Sequence, residues 1–199
     1  MFEIAEYIGI IAFAMSGFFI ATRNKLDFLG VLISVFLTAL GGGILRDVIV
    51  DKVPYTFTHN IPAFIIVSVM ILLVLFKFHK KPSIENKPLF ILSDSIGLVS
   101  FSITGAWIAI ENSLNLTGVL TLSFITAVGG GIIRDVIINE IPFVLKTGFY
   151  GTIALLIGTI LYILNAYSVM DIYTLSMVFV LGVMLRLVAY YKKWAIPMI

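Results

Sequence analysis

Apolar stretches long enough to cross a bilayer follow one another along this chain, with only short polar breaks between them. A crossing needs about 20 apolar residues at roughly 1.5 Å each. That pattern predicts seven helices, over 4–22, 28–53, 61–78, 89–110, 115–140, 148–167 and 172–191. The second and fifth are longer than a span, which leaves room for a bend or tilt. Pro54 and Pro142 are expected to end them, because proline lacks the N–H and restricts the residue before it. At the third, Asn60 reads as an N-cap with Pro62 in the first turn.

Composition agrees with a polytopic membrane protein. Of 199 residues, 60% are hydrophobic and 12% charged, and the mean hydropathy is +1.12. A soluble domain carries about 25% charge, and a soluble core of this size cannot hide so much apolar surface. With no cysteine, disulfides, thiolate metal sites and cysteine nucleophiles are excluded. The opening MFEIAEYIGIIAF carries Glu3 and Glu6 where a signal peptide would be basic, so it is expected to remain as the first helix. The net charge of +2 says little about partners, since in a membrane protein the position of charge matters more than its sum.

Orientation follows from Lys and Arg. Apart from Arg46 and Arg134, ten basic residues fall on one side: Arg23, Lys25, Lys77, Lys80, Lys81, Lys87, Lys146, Arg186, Lys192 and Lys193; only Lys52 falls on the other. The N-terminus is therefore expected outside, with the loop 77–88 and the C-terminus cytoplasmic.

The chain also repeats itself at an offset of 88 residues. TALGGGILRDVIVDKVP (38–54) and TAVGGGIIRDVIINEIP (126–142) share eleven of seventeen positions. IGIIAFAMSGF (8–18) likewise matches IGLVSFSITGA (96–106), which aligns Glu6 with Asp94 and Ser16 with Thr104. Each copy holds three spans, an odd number, so the second must enter the membrane inverted. The expected fold class is an all-α integral membrane protein of seven transmembrane helices. It comprises repeat 1 (1–83), inverted repeat 2 (89–171) and a seventh helix (172–191). Inverted repeats of this kind place their sites near the midplane.

The glycine triplets Gly41, Gly42, Gly43 and Gly129, Gly130, Gly131 fall near mid-helix, about 20 Å from the start of each span. Each glycine costs about 1 kcal/mol relative to alanine in a soluble helix. Two readings stand. The triplets permit close helix packing, or they open the helices and free the carbonyls around Thr38 and Thr126 for a cation. Meeting twice by inverted symmetry favours a pathway.

The charges Arg46, Asp47, Arg134 and Asp135 follow the triplets. Neighbours i and i+1 do not face each other on a helix, so Arg46 is not expected to pair with Asp47. Depth instead pairs Glu6 with Arg46 and Asp94 with Arg134, leaving Asp47 and Asp135 free to face aqueous vestibules. Snorkelling or simple fastening of helices is the competing explanation, but intramembrane charges are functional suspects. His59 and His79 lie at helix ends without metal-ligand spacing. Loop 77–88 could meet anionic lipid heads, and Tyr7, Tyr167, Tyr190, Tyr191 and Trp194 fit interfacial belts. No catalytic, Walker or Rossmann motif stands in its context. No enzyme, cofactor, nucleic-acid partner or resident metal is expected.

Two GGG-x-x-RD motifs in a seven-helix inverted repeat resemble the prokaryotic branch of the TRIC family, the trimeric intracellular cation channels. Sequences of this kind are also grouped under a glycine-transporter domain name. The resemblance covers essentially the whole chain. It implies a homotrimer in an inner (plasma) membrane, each protomer carrying a pore for monovalent cations, chiefly K⁺ with Na⁺ as a second candidate. It also implies that the second and fifth helices bend at Gly41–Gly43 and Gly129–Gly131 and line that pore, with transient K⁺ at the breaks. The alternative is a secondary transporter for a small zwitterion such as glycine, because inverted repeats suit carriers as well as channels.

Overall fold

The computed structural model describes residues 2–80, 87–146 and 149–194, and every regular element among them is helical. In order these are α1 (Phe2–Arg23), α2 (Phe28–Ile49), α3 (Tyr55–Thr58), α4 (Ile61–Leu75), α5 (Lys87–Glu111), α6 (Leu116–Ile137), α7 (Phe143–Lys146), α8 (Gly151–Ala166) and α9 (Ile172–Tyr191), with a short 3₁₀ turn at Phe78–Lys80. Five of them, α1, α2, α5, α6 and α9, are long and apolar enough to cross a membrane. α4 and α8 are apolar but have only 15 and 16 residues, roughly 22–24 Å at 1.5 Å per residue. Lys81 and the middle of the basic loop lie outside the described residues.

Two expectations about helix ends are corrected. α2 and α6 stop at Ile49 and Ile137, several residues before their prolines. The reason is a residue in left-handed backbone, Asp51 (φ 56°) and Asn139 (φ 58°). In the first case the Lys52 N–H donates to Asp47 O and the Asp51 N–H to Val48 O; Glu140 and Asn139 do the same to Asp135 and Val136. This doubly bonded ending satisfies carbonyls that the helix would otherwise leave bare. Asn60 precedes α4 without a side-chain cap bond, whereas Asp27 and Asn115 cap α2 and α6 by accepting from Gly30 and Gly118.

α5 lies deepest, with 83% of its apolar window buried against 28% for α9. It packs on α1, α6, α8 and α9, while α1 packs on α2 and α4 and α2 crosses α6. Small residues allow these approaches. A Cβ added at Gly17 would meet Ser34 O and Thr38 Oγ1, and one at Gly105 would meet Leu122 O and Thr126 Oγ1. Those two sets of contacts differ by 88 residues throughout. The outward faces of α4 and α9 expose Phe64, Ile71, Leu72, Met177 and Leu181, as a lipid-facing surface does.

Candidate functional site: the glycine crossing and its two charge clusters

The triplets do not break their helices. α2 runs through Gly41–Gly43 and α6 through Gly129–Gly131, and no glycine among the described residues has positive φ. The expected freeing of the carbonyls near Thr38 and Thr126 is therefore corrected. With no water at that depth to replace a lost hydrogen bond, an intact helix is cheaper, and the glycines are used for approach instead. A Cβ at Gly42 would overlap the Thr126 carbonyl, and one at Gly130 would overlap the Thr38 carbonyl. Gly41 makes room for Ile133 and Gly129 for Leu45, while Gly43 and Gly131 open toward Glu6 and toward Arg134 with Tyr150. The contacts of Gly41 and Gly42 are repeated by Gly129 and Gly130 at the 88-residue offset, as a two-fold relation between the halves requires, whereas Tyr150 beside Gly131 has no counterpart at Gly43. Thr38 and Thr126 are fully buried, their hydroxyls donating to Ser34 O and Leu122 O of their own helices at 2.5 and 2.6 Å.

The charges flank this crossing. At one end Arg46 donates from Nη1 to Glu6 Oε2 at 2.5 Å and from Nε to Asp47 Oδ1 at 2.8 Å. At the other end Arg134 donates from Nη1 to Asp94 Oδ1 at 3.2 Å and from Nε to Asp135 Oδ1 at 2.8 Å. The second contact in each set contradicts the expectation that adjacent residues stay apart. The i,i+1 rule describes side chains leaving an exposed helix surface. A buried guanidinium has five donors in a fork, so one arm can fold back along the helix while another reaches a neighbouring one. Neither aspartate is free: the remaining oxygen of Asp47 accepts the Tyr55 N–H at 2.9 Å, and that of Asp135 accepts the Phe143 N–H at 2.6 Å. These carboxylates thus tie the ends of α2 and α6 to α3 and α7.

Each arginine also crosses to the other half. Arg46 Nη1 donates to Thr104 Oγ1 at 3.3 Å, and Arg134 Nη1 to Ser16 Oγ at 2.6 Å, with Ser16 in turn donating to Asp94 Oδ1 at 3.1 Å. The alignment of Ser16 with Thr104 was visible in the repeat, but their part as partners of the arginines was not. A buried charge requires partners on every side, and these hydroxyls supply them.

The two ends then differ. Around the Arg46 cluster is a cavity of about 600 Å³ whose wall includes Glu3, Glu6, Tyr7, Asp47, Lys52, Tyr55, Trp107 and Glu111. The Arg134 cluster is sealed, with Arg134 and Asp94 each 1% exposed, and Phe90 lies under the guanidinium at 5.3 Å. Arg186, counted in the sequence among the basic residues of the cytoplasmic side, is 1% exposed within α9, over the rings of Tyr150 (4.6 Å), Phe143 (5.6 Å) and Tyr190 (5.7 Å). Its long stem keeps the charge inside because three π faces receive it; Tyr190 accordingly serves this cage rather than a membrane belt. The one signal in the sequence was a lone arginine five residues inside the last apolar run.

The rims differ too. Arg23 pairs with Glu140 at 2.7 Å, and Asn24 adds a bond at 3.2 Å. At the 88-residue offset the equivalent positions are Glu111 and Lys52, so the charges exchange sign, and both of those line the cavity. His59 and His79 are exposed, with Tyr55 stacked on His59 at 4.1 Å.

An all-helical membrane protein whose halves exchange the same contacts, with a charge cluster at each end of a glycine crossing, is the class that fold and site define. The chain belongs to the glycine transporter family, whose profile matches residues 3–80 and 91–166. It is 34% identical to the UPF0126 membrane protein YvgT of Bacillus subtilis over 98% of this chain and 95% of that protein. It is 32% identical to the inner membrane protein YadS of Escherichia coli over 82% of this chain and 78% of that one. Among solved structures, one described as a prokaryotic TRIC channel in 0.5 M KCl superposes with TM-score 0.89 at 32% identity, covering 98% of both chains. Another, solved for the basis of conductance through TRIC cation channels, gives 0.84 at 36% identity, covering 100% of this chain and 97% of that one. The chain is a multi-pass inner-membrane protein of the bacterial type and not an enzyme.

Proposed function

We propose that this protein is a cation channel for monovalent ions, chiefly K⁺, with a pathway in each subunit of a homotrimer. Its two repeats, 1–83 and 89–171, are read as inverted in the membrane, with 172–191 as the seventh span, the N-terminus outside and the C-terminus cytoplasmic. The observation that carries this reading is the side-chain-free crossing of α2 and α6 at Gly42 and Gly130, flanked at both ends by buried arginine–carboxylate clusters. Intramembrane charges held in pairs mark ion paths, and solved proteins that share this fold are described as TRIC channels, in one case as TRIC cation channels. Because the helices are unbroken, the crossing acts as a constriction. The pathway enters through the cavity beside Asp47 and passes the triplets when α2 and α6 part. Thr38 and Thr126, next to the crossing, become part of the path only in that opened arrangement.

A second reading has its own support. The cavity at the Arg46 end is lined by Lys52 together with Glu3 and Glu111, a set that suits a small molecule bearing both charges, and the family is described as glycine transporters. Liposomes holding purified protein separate the two. K⁺-driven change in membrane potential without uptake of labelled glycine is expected; saturable glycine uptake without K⁺ conductance would replace the channel with a carrier.

A further inference from the structure

The buried charge is not the same at the two ends of the crossing. Among the described residues the Arg46 cluster holds one cation and two carboxylates, Glu6 and Asp47. The Arg134 cluster holds Asp94 and Asp135 against Arg134, and Arg186 lies one ring away. Tyr150 is the side chain between them: its ring faces the Arg186 guanidinium at 4.6 Å, and its hydroxyl lies by Gly131. Among the described residues no carboxylate lies within ion-pairing distance of Arg186, and its Nε has no hydrogen-bond partner. Arg186 stands on α9, the helix outside the repeat, so the Arg46 end has no equivalent. Rings offset part of the cost of such a charge, but a cation buried without a counter-ion is expensive to keep.

We propose that Arg186 sets an electrical difference between the two mouths, leaving the Arg46 end net negative and the Arg134 end neutral, so that cations enter more readily from the Arg46 end. This rests on the channel reading above. The wall of a narrow, water-poor passage focuses such a field, so a single charge is felt by the passing ion. Arg186 is then a residue that determines the direction of easier flow, acting through its charge rather than by contact with the ion.

Single-channel currents in symmetric KCl test this. The ratio of the larger to the smaller current at equal and opposite voltages does not depend on how the protein inserted. The wild type is expected to rectify. Arg186→Met, which keeps bulk without charge, is expected to shrink the departure of that ratio from one by about twofold or more. Arg186→Lys, which keeps charge but loses the planar stack, is expected to retain it. Should Arg186→Met not yield folded protein, Arg186→Gln serves as the neutral arm. An unchanged ratio in the neutral variant, or equal loss in the neutral and lysine variants, would overturn the proposal. Absence of unitary K⁺ currents from the wild type would instead remove the channel reading beneath it.

Discussion

Each glycine of a triplet has its own task. At Gly42 and Gly130 an added methyl would run into a backbone carbonyl that cannot give way. Gly42→Ala or Gly130→Ala is therefore expected to destabilise the protein by about 1–3 kcal/mol, read as a fall in melting temperature in detergent. At Gly43 the nearest atom is a Glu6 side-chain oxygen at 3.2 Å, in a carboxylate held by Arg46, so Gly43→Ala is expected to lower that temperature less than Gly42→Ala. The arginines invite a second comparison. Arg134→Met strands Asp94 and Asp135 and is expected to cost about 3–5 kcal/mol, whereas Arg23→Ala, at a half-exposed pair, should cost no more than about 1 kcal/mol. Thermal unfolding of the two variants side by side checks both. Sequence spacing brought the right residues into consideration, because depth along a helix follows from counting. It misjudged Arg46–Asp47 and Arg134–Asp135, because which way a long, flexible fork folds inside a protein depends on neighbours from other helices.

For the helices, the length of the apolar runs located the long elements, since an apolar run of about twenty residues has few alternatives. The ends were less legible. Proline advertises a stop, but Asp51 and Asn139 stop α2 and α6 earlier through a backbone conformation that asparagine and aspartate only weakly announce. Asp51→Val, a β-branched residue at positive φ, is expected to destabilise by about 1–2 kcal/mol, while Asp51→Gly should at least maintain the melting temperature. The connection after α6 is tied to the one after α1 by Glu140. Burial alone would push its carboxyl up, but hydrogen bonds from Arg23 and Asn24 and the arginine's charge hold it below the usual glutamate range. A depressed folded-state value means this contribution is present above the ordinary glutamate value of about 4.3 and is lost as pH falls below it. Melting temperature followed from pH 7 to pH 3 should therefore decline less steeply for Glu140→Gln than for the wild type.

At the level of the whole molecule, neither half is complete. Arg46 needs the Thr104 hydroxyl and Arg134 needs that of Ser16, and each glycine crossing is closed by a carbonyl of the other half. Residues 1–86 expressed alone should therefore be degraded or aggregate, and co-expression with 87–199 should restore a folded complex that co-purifies. Recovery of a stable, monodisperse 1–86 fragment would contradict this. The repeat itself was open to reading, as identities at an offset of 88 residues are a matter of alignment. Arg186 and its cage of rings were not, because α9 has no second copy against which to compare it.

The rim pairs carry a consequence for biosynthesis. Apart from α9 and the cavity beside Arg46, the contacts at the glycine crossing are much the same from either half, so they give the insertion machinery little reason to lead with one face. What distinguishes the faces is a few surface charges, among them Arg23 and Glu140 at one end and their sign-exchanged counterparts Glu111 and Lys52 at the other. A protein built this way keeps its sense of up and down almost entirely in its skin.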